Sequence, residues 1–390
     1  MLKSKVGYST NKDSKKAGIE LAKMATEGLK NKKLGLLFTS VRYDQEQVIE
    51  GVKEIVGDMP LMGCTSSGGI IVPDGIIASD HGFAGMMVLD DPDLKVGVAA
   101  RKTTGDPRKT GREVALAALK NAGFDYAPTY YCMLASPIDK YEEEYYVKGI
   151  QDVIGDVPLF GGSAADNTII GDWKIFDNTT TFNDGVAVAF FYTDKLIETT
   201  FTGDYAETKN VGIITKVEEE HKLVEIDGEP ALKKYANWIG ATPDDLMGAN
   251  LLVASINFPL GVKDPLGDLT AIRHPMAGNK DYSMTLGNIV TENTAVIQME
   301  ASIDQLIDST QSVLKDVANR LEKPGAYFLV HCGGRKVGIG DRMEEVYQKI
   351  KEESKGVPFI MVFTFGEYGY KDHTRNTCGG LMLSFTGFDE

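Results

Sequence analysis

Close cysteine pairs are missing from this chain: Cys64, Cys132, Cys332 and Cys378 lie far apart, with no CxxC among them. That spacing excludes a thiolate zinc site and predicts four reduced, metal-free thiols in the cytoplasm. Runs of Lys or Arg are missing too, and the formal net charge is −15. Nucleic acid and anionic membranes are held chiefly through phosphate charge, so neither is expected as a partner. No segment reaches the roughly 18 uninterrupted apolar residues of a membrane span. The N-terminal MLKSKVGY has no apolar signal core, so no membrane insertion and a cytoplasmic location are expected. Histidine is scarce, five in 390 residues, with none at metal-ligand spacing. What remains is ordinary globular composition, 43% hydrophobic and long enough for two cores.

One stretch is written twice. Val56–Gly69 reads VGDMPLMGCTSSGG, and 98 residues later Ile154–Asn167 reads IGDVPLFGGSAADN. The match runs upstream through Tyr43 and Tyr141, Gly51 and Gly149, and Val52 and Ile150. A looser third copy stands at Lys355–Met361, KGVPFIM. Each copy is an apolar strand that ends in a small or polar turn, which implies one recurring α/β unit. The periodicity predicts, in the first unit, a helix over 13–31 capped by Ser9 or Thr10, a strand over 34–39, a helix over 44–56 and strands over 82–89 and 94–100. The second unit repeats the plan, with helices over 108–122 and 140–154, strands over 129–135 and 157–160, and paired strands near 185–192 and 196–202. Beyond Tyr205 follow a hairpin near 211–226, a helix led by Pro230, a long loop from Pro259 to Asp281, a helix over 303–322 and a last strand–helix–strand unit. The expected fold is a two-domain α/β protein with mixed sheets flanked by helices. Its N-terminal domain, 1–205, would be internally duplicated as units 1–103 and 104–205, with a C-terminal domain over 206–390.

Several residues are placed for chemistry. Thr65 and Ser66 follow a strand, where hydroxyls and backbone N–H groups can gather on a carboxylate, though capping their own turn needs no ligand. Ser163 lies in GGSAA, one residue short of the hydrolase elbow G-x-S-x-G, and a hydrolase is the remotest reading because no His or acid is placed to help it. Asp166 and Asn167 stand at the mouth of the same turn, suited to an ammonium or hydroxyl group or to simple turn formation. Gly333–Gly340, GGRKVGIG, sits between a strand and a helix but keeps neither Gly-rich phosphate spacing, and Asp341 with Glu344 suits a capping box. Arg335 within it is a planar fork for a carboxylate. His274, His331 or His373 could each give haem its one axial ligand.

Taken together the motifs resemble the FIST family. GCTSSGG at Gly63–Gly69 and GGSAAD at Gly161–Asp166 are similar to the motifs of its N-terminal half. Ile226–Ala231 with Tyr235, Phe258–Val262, Arg273–Pro275, Cys332 with Arg335, and Gly366-Glu367 followed by Asn376-Thr377 are similar to those of its C-terminal half. The resemblance implies an intracellular sensory module in signal transduction, without catalytic activity, that binds small molecules such as amino acids; some members bind haem. It adds Cys64, Glu367 and Asn376 to the ligand-site residues. No output domain is visible in the sequence, so a separate signalling protein such as a histidine kinase or chemoreceptor would carry the output. No cofactor is expected on the leading reading, with haem as the alternative. In the expected site Thr65, Ser66 and Arg335 hold a ligand carboxylate, while Asp166 and Glu367 receive its ammonium or hydroxyl groups.

Overall fold

A computed structural model describes residues 1–137, 143–263, 269–370 and 375–390. Three of its sheets have six strands each and share one plan. The first runs Lys3–Ser9, Ala84–Asp90, Lys32–Thr39, Leu61–Thr65, Ile175–Asp177, Thr181–Phe182. The second runs Lys95–Lys102, Gly185–Tyr192, Tyr130–Ala135, Leu159–Ser163, Glu367–Gly369, Thr377–Gly379. The third runs Ile197–Thr202, Leu383–Asp389, Pro324–Cys332, Phe359–Thr364, Ile70–Val72, Gly75–Ile77. In each, the third and fourth strands are parallel. All other neighbours are antiparallel. The outer hairpin of every sheet comes from the chain that leaves a turn of another sheet, so the three are interlocked.

This exchange corrects the expected pairing. Ala84–Asp90 lies in the first sheet and Lys95–Lys102 in the second, so the turn residues Asp90–Asp93 carry the chain between sheets. Likewise Gly185–Tyr192 and Ile197–Thr202 belong to different sheets and do not pair. A short polar link marks a change of direction, and it does not name the strand's partner.

Apolar residues from all three sheets meet in one core, with Phe328 stacked 5.4 Å from Phe38 and edge-on to Phe160 at 6.3 Å. Strands covered on both faces need continuous apolar runs, as in Leu34–Phe38 and Phe359–Phe363. Helices cover the outside. Ser14–Thr26 packs on Gln45–Val56, and Pro107–Ala122 on Glu143–Ile154. The matched glycines explain themselves at these crossings: a Cβ on Gly51 would lie 2.1 Å from Lys15 O, and one on Gly149 2.1 Å from Arg108 O. Only glycine lets the two backbones come that close.

A fourth sheet is built from 206–300 around Ala206–Glu218, with Ala231–Ile239 packed on it. The stretch expected as a loop, 259–281, contributes three of its strands, Leu260–Lys263, Thr270–Arg273 and Pro275–Gly278. Tertiary pairing has overridden its polar, proline-spotted composition. Other boundaries shift for local reasons. Asp13, not Ser9 or Thr10, caps the first helix by accepting from Lys16 N. Gly333–Ile339, expected as a loop, is helical with Cys332 as its cap, and Met343–Glu353 starts without a side-chain cap, so Asp341 and Glu344 form no capping box there. No described helix is long and apolar enough to cross a membrane.

Candidate functional site

The parallel strands of the three sheets end together. Thr65, Ser163 and Thr364 are the last residues paired with Thr39, Ala135 and Cys332. Their turns are tied by backbone hydrogen bonds: Ala165 N donates to Thr65 O (2.9 Å), Ser67 N to Phe363 O (3.0 Å) and Ser163 N to Gly366 O (2.8 Å). The C-terminal ends of parallel strands are where α/β sheets gather ligands. Two sets of side chains stand at this junction.

The first lines an open cleft of about 420 Å³ that includes Ser40, Arg42, Gly68, Ser79, Asp80 and Asn167. Asn167 Oδ1 accepts from Gly68 N at 2.8 Å, joining the first and second turns. Asp166, directly before it, is buried and points away from the cleft into its own loop. Its carboxylate accepts from the backbone N–H groups of Thr168 (2.9 Å), Ile169, Ile170 (3.0 Å), Gly171 (3.0 Å) and Asp172 (3.1 Å). Burial alone would raise this carboxyl, but the amides prevail and hold it below its ordinary value. Arg42 and Asp80 are exposed and make no ion pair among the described residues. Lys336 reaches the same turns from Gly333–Ile339 and donates to Ser67 O at 2.7 Å.

The second set is buried. Glu143, at the start of its helix, accepts from Ser163 Oγ and from Tyr368 OH (2.9 Å), and the two hydroxyls lie 2.7 Å apart. Glu367 accepts from Thr364 Oγ1 (2.8 Å) and Met382 N (2.9 Å). Gly366 packs against this pair, since a Cβ there would lie 2.9 Å from both Glu143 Oε1 and Ser163 Oγ. Burial pushes Glu143 up to about 8, with the charge of Glu144 adding to it, and burial pushes Glu367 up to about 8 as well. Burial thus favours the neutral form of each carboxyl.

The structure thus gathers some of the expected residues and separates others. Cys64 faces the apolar core. Thr65 Oγ1 accepts from Lys174 N (3.0 Å), while Ser66 Oγ donates to Gly69 O (2.7 Å) and accepts from Phe363 N (2.9 Å). Both hydroxyls serve the fold. Arg335 corrects the expectation most: its buried guanidinium donates to Gly203 O (2.6 Å), Leu381 O (3.3 Å), Leu306 O (3.2 Å) and Ser309 Oγ (2.5 Å). It ties the C-terminal elements together and is not at the turns. Asn376 pairs with Val157 O (2.7 Å) and Leu159 N (3.2 Å), at the opposite end of the strand from Ser163. His274 Nε2 is engaged with Leu252 O (3.0 Å), and His331 is fully buried beside Phe363. Neither lines the clefts at the strand ends or along Phe201–Tyr205. His373 and Tyr141 lie outside the described residues. Sequence reasoning missed Arg42, Asp80, Glu143, Lys336 and Tyr368, although Glu143 follows Gln45 by the same 98 residues as the repeated motif.

No curated protein matches the chain. Among solved structures it is similar to a cyanuric acid hydrolase from A. caulinodans at 7% identity and TM-score 0.37, over 100% of this chain and 99% of that one. It is also similar to phosphoribosylformylglycinamidine synthase II from Thermotoga maritima at 9% identity and TM-score 0.23, over 99% of this chain and 72% of that one. Likenesses this weak bear on neither ligand nor chemistry. The family models are decisive: the FIST N domain matches residues 33–229 and the FIST C domain residues 231–370. The chain therefore belongs to the FIST family, whose domains are sensory modules of signal transduction that bind small ligands.

Proposed function

We propose that this protein is a cytoplasmic sensor of an amino acid or similar small carboxylate, held in the cleft between Arg42 and Asp80. The observation that carries the reading is that one small cleft at the strand ends offers a cation and an anion that make no ion pair among the described residues, together with the fixed amide of Asn167. A zwitterion would supply the opposite charge to each. The ligand groups expected of Thr65, Ser66, Arg335, Asp166 and Glu367 pass to Arg42 and Asp80, because the former are occupied within the fold. Binding would bias the packing of the interlocked sheets, and a separate signalling protein, a histidine kinase or chemoreceptor, would read that bias. The matched turns and the shared plan of the three sheets support an origin of this scaffold by internal duplication.

A thermal-shift screen of glycine, alanine, glutamate, acetate and succinate tests the reading, since a ligand at 100 times its Kd adds about 2.7 kcal/mol of stability. Arg42→Ala and Asp80→Ala should each weaken a hit by roughly 10-fold, about 1.4 kcal/mol. No shift with any of these compounds, or a hit indifferent to both variants, would overturn it.

A further inference from the structure

Lys336 is half-buried, and its surroundings are unusual for a lysine of so acidic a protein. Its Nζ donates to Ser67 O at 2.7 Å and lies 4.4 Å from the centre of the Phe363 ring. Among the described residues no carboxylate pairs with it, although acidic side chains outnumber basic ones 56 to 41. Its charged neighbour on the same helix is Arg335, and the two together help to keep His331 neutral. A cation removed from water without a counter-ion is unfavourable, and it relieves the cost by releasing its proton. Burial accordingly pushes Lys336 down to about 8.

Access is the second observation. A Cβ on Gly68 would lie 2.8 Å from Nζ and would meet no other residue within 4 Å. Gly68 is exposed and also lines the cleft, so the amine stands directly behind a turn that has no side chain to screen it. One donor is committed to Ser67 O, which orients the group and leaves its lone pair free when neutral.

We propose that Lys336 is a carbonyl-trapping amine that condenses reversibly with a small aldehyde or 2-oxo acid entering at the Ser67–Gly68 turn. The Nζ lone pair attacks the carbonyl carbon and forms the C–N bond. The former carbonyl oxygen then leaves as water with both amine hydrogens, giving the imine with no change of oxidation state. The proposal extends the reading above by naming a carbonyl-bearing ligand class, and it uses neither Arg42 nor Asp80.

Glyoxylate is the probe. The full-length protein is incubated with it and cyanoborohydride at pH 7.5, and adducts are located by peptide mass mapping. At that pH an amine of pKa about 8 holds on the order of 100-fold more neutral form than an ordinary lysine. Lys336 should therefore be labelled at least about tenfold faster than the exposed Lys355, with a rate that levels off above pH 8. Gly68→Ala, which sets a methyl against Nζ, should slow labelling. Lys336→Arg should abolish that adduct while keeping the cation, and its melting temperature shows whether the fold persists. Labelling of Lys336 no faster than Lys355, or a rate still climbing through pH 10, would overturn the proposal. Binding of glycine, which has no aldehyde or ketone to condense, is read separately by thermal shift, so either idea can fail alone.

Discussion

The turns after Thr65 and Ser163 occupy matching places in the first and second sheets, and different chemistry holds each. In the first, Gly68 shapes the turn by adopting φ +61°. The buried polar group beneath is the amide of Gln45, which accepts from Thr39 Oγ1 (2.5 Å) and donates to Ser40 O (3.0 Å) and Tyr43 O (2.8 Å). In the second sheet Asp166 stands 98 residues after Gly68, and Glu143 the same distance after Gln45. A carboxylate gathers the loop there, and a carboxyl replaces the amide. The comparison separates what the scaffold requires from what has been added to it. A neutral amide suffices to satisfy the buried position, so the ionisable groups of the second turn are not demanded by the fold, and through them proton concentration enters its stability.

Where the two regions share scaffold, substitutions should act alike. Gly51→Ala and Gly149→Ala each drive a methyl to 2.1 Å from a backbone oxygen of the facing helix. Each should lower the unfolding free energy by about 3 kcal/mol in denaturant titrations, because a helix backbone cannot shift as a side chain can. A large loss at one glycine and none at the other would break the equivalence. Where the regions differ, the effects should diverge. Asp166→Ala removes the shared acceptor of five backbone amides, some of which can turn to water instead. The expected cost is about 2 kcal/mol, together with faster proteolysis within 167–172. An unchanged cleavage rate would mean that the loop holds itself without the carboxylate.

Much of this plan was legible in the chain. The 98-residue spacing marked Gly51 and Gly149 as a pair, and their helix crossings supply the reason. Strand partners were not legible, since the strand pairs Ile70–Val72 with Gly75–Ile77, Ile175–Asp177 with Thr181–Phe182, and Glu367–Gly369 with Thr377–Gly379 join sheets whose other strands are remote in sequence. Arg335 and Lys336 show the limit for a site. Successive residues on a helix point about 100° apart, so one side chain enters the C-terminal core and the next reaches Ser67. Composition around the pair cannot say which does which. The partners of Arg335, at 203, 306, 309 and 381, are assembled only by the fold. Glu143 had a readable signal in its spacing from Gln45, but it lies at the start of a helix rather than in the conspicuous turn.

The pH dependence of the buried carboxyl gives the sharpest test of the comparison. Glu143 faces Ser163 and Tyr368, with Glu144 and Glu367 as the nearby carboxyls. Its folded value stands at about 8 against an ordinary 4.5. Between those limits the unfolded chain releases a proton that the folded protein retains. Stability from this group is therefore fully present below about pH 4.5 and is lost progressively as the pH rises through 8. The limiting slope for one such group is about 1.4 kcal/mol per pH unit. Glu143→Gln installs the amide that the first region already uses and removes that loss. The variant should match or trail the wild type at pH 5, since its amide must find new partners, and then gain on it with each pH unit up to about pH 8, by no more than that limiting slope. Denaturant titrations of both proteins at several pH values read this as a difference of differences, which cancels the carboxylates common to both. A gap between them that stays constant from pH 5 to 8 would mean that Glu143 is already ionised in the folded protein, and the contrast between the two turns would then be one of shape alone.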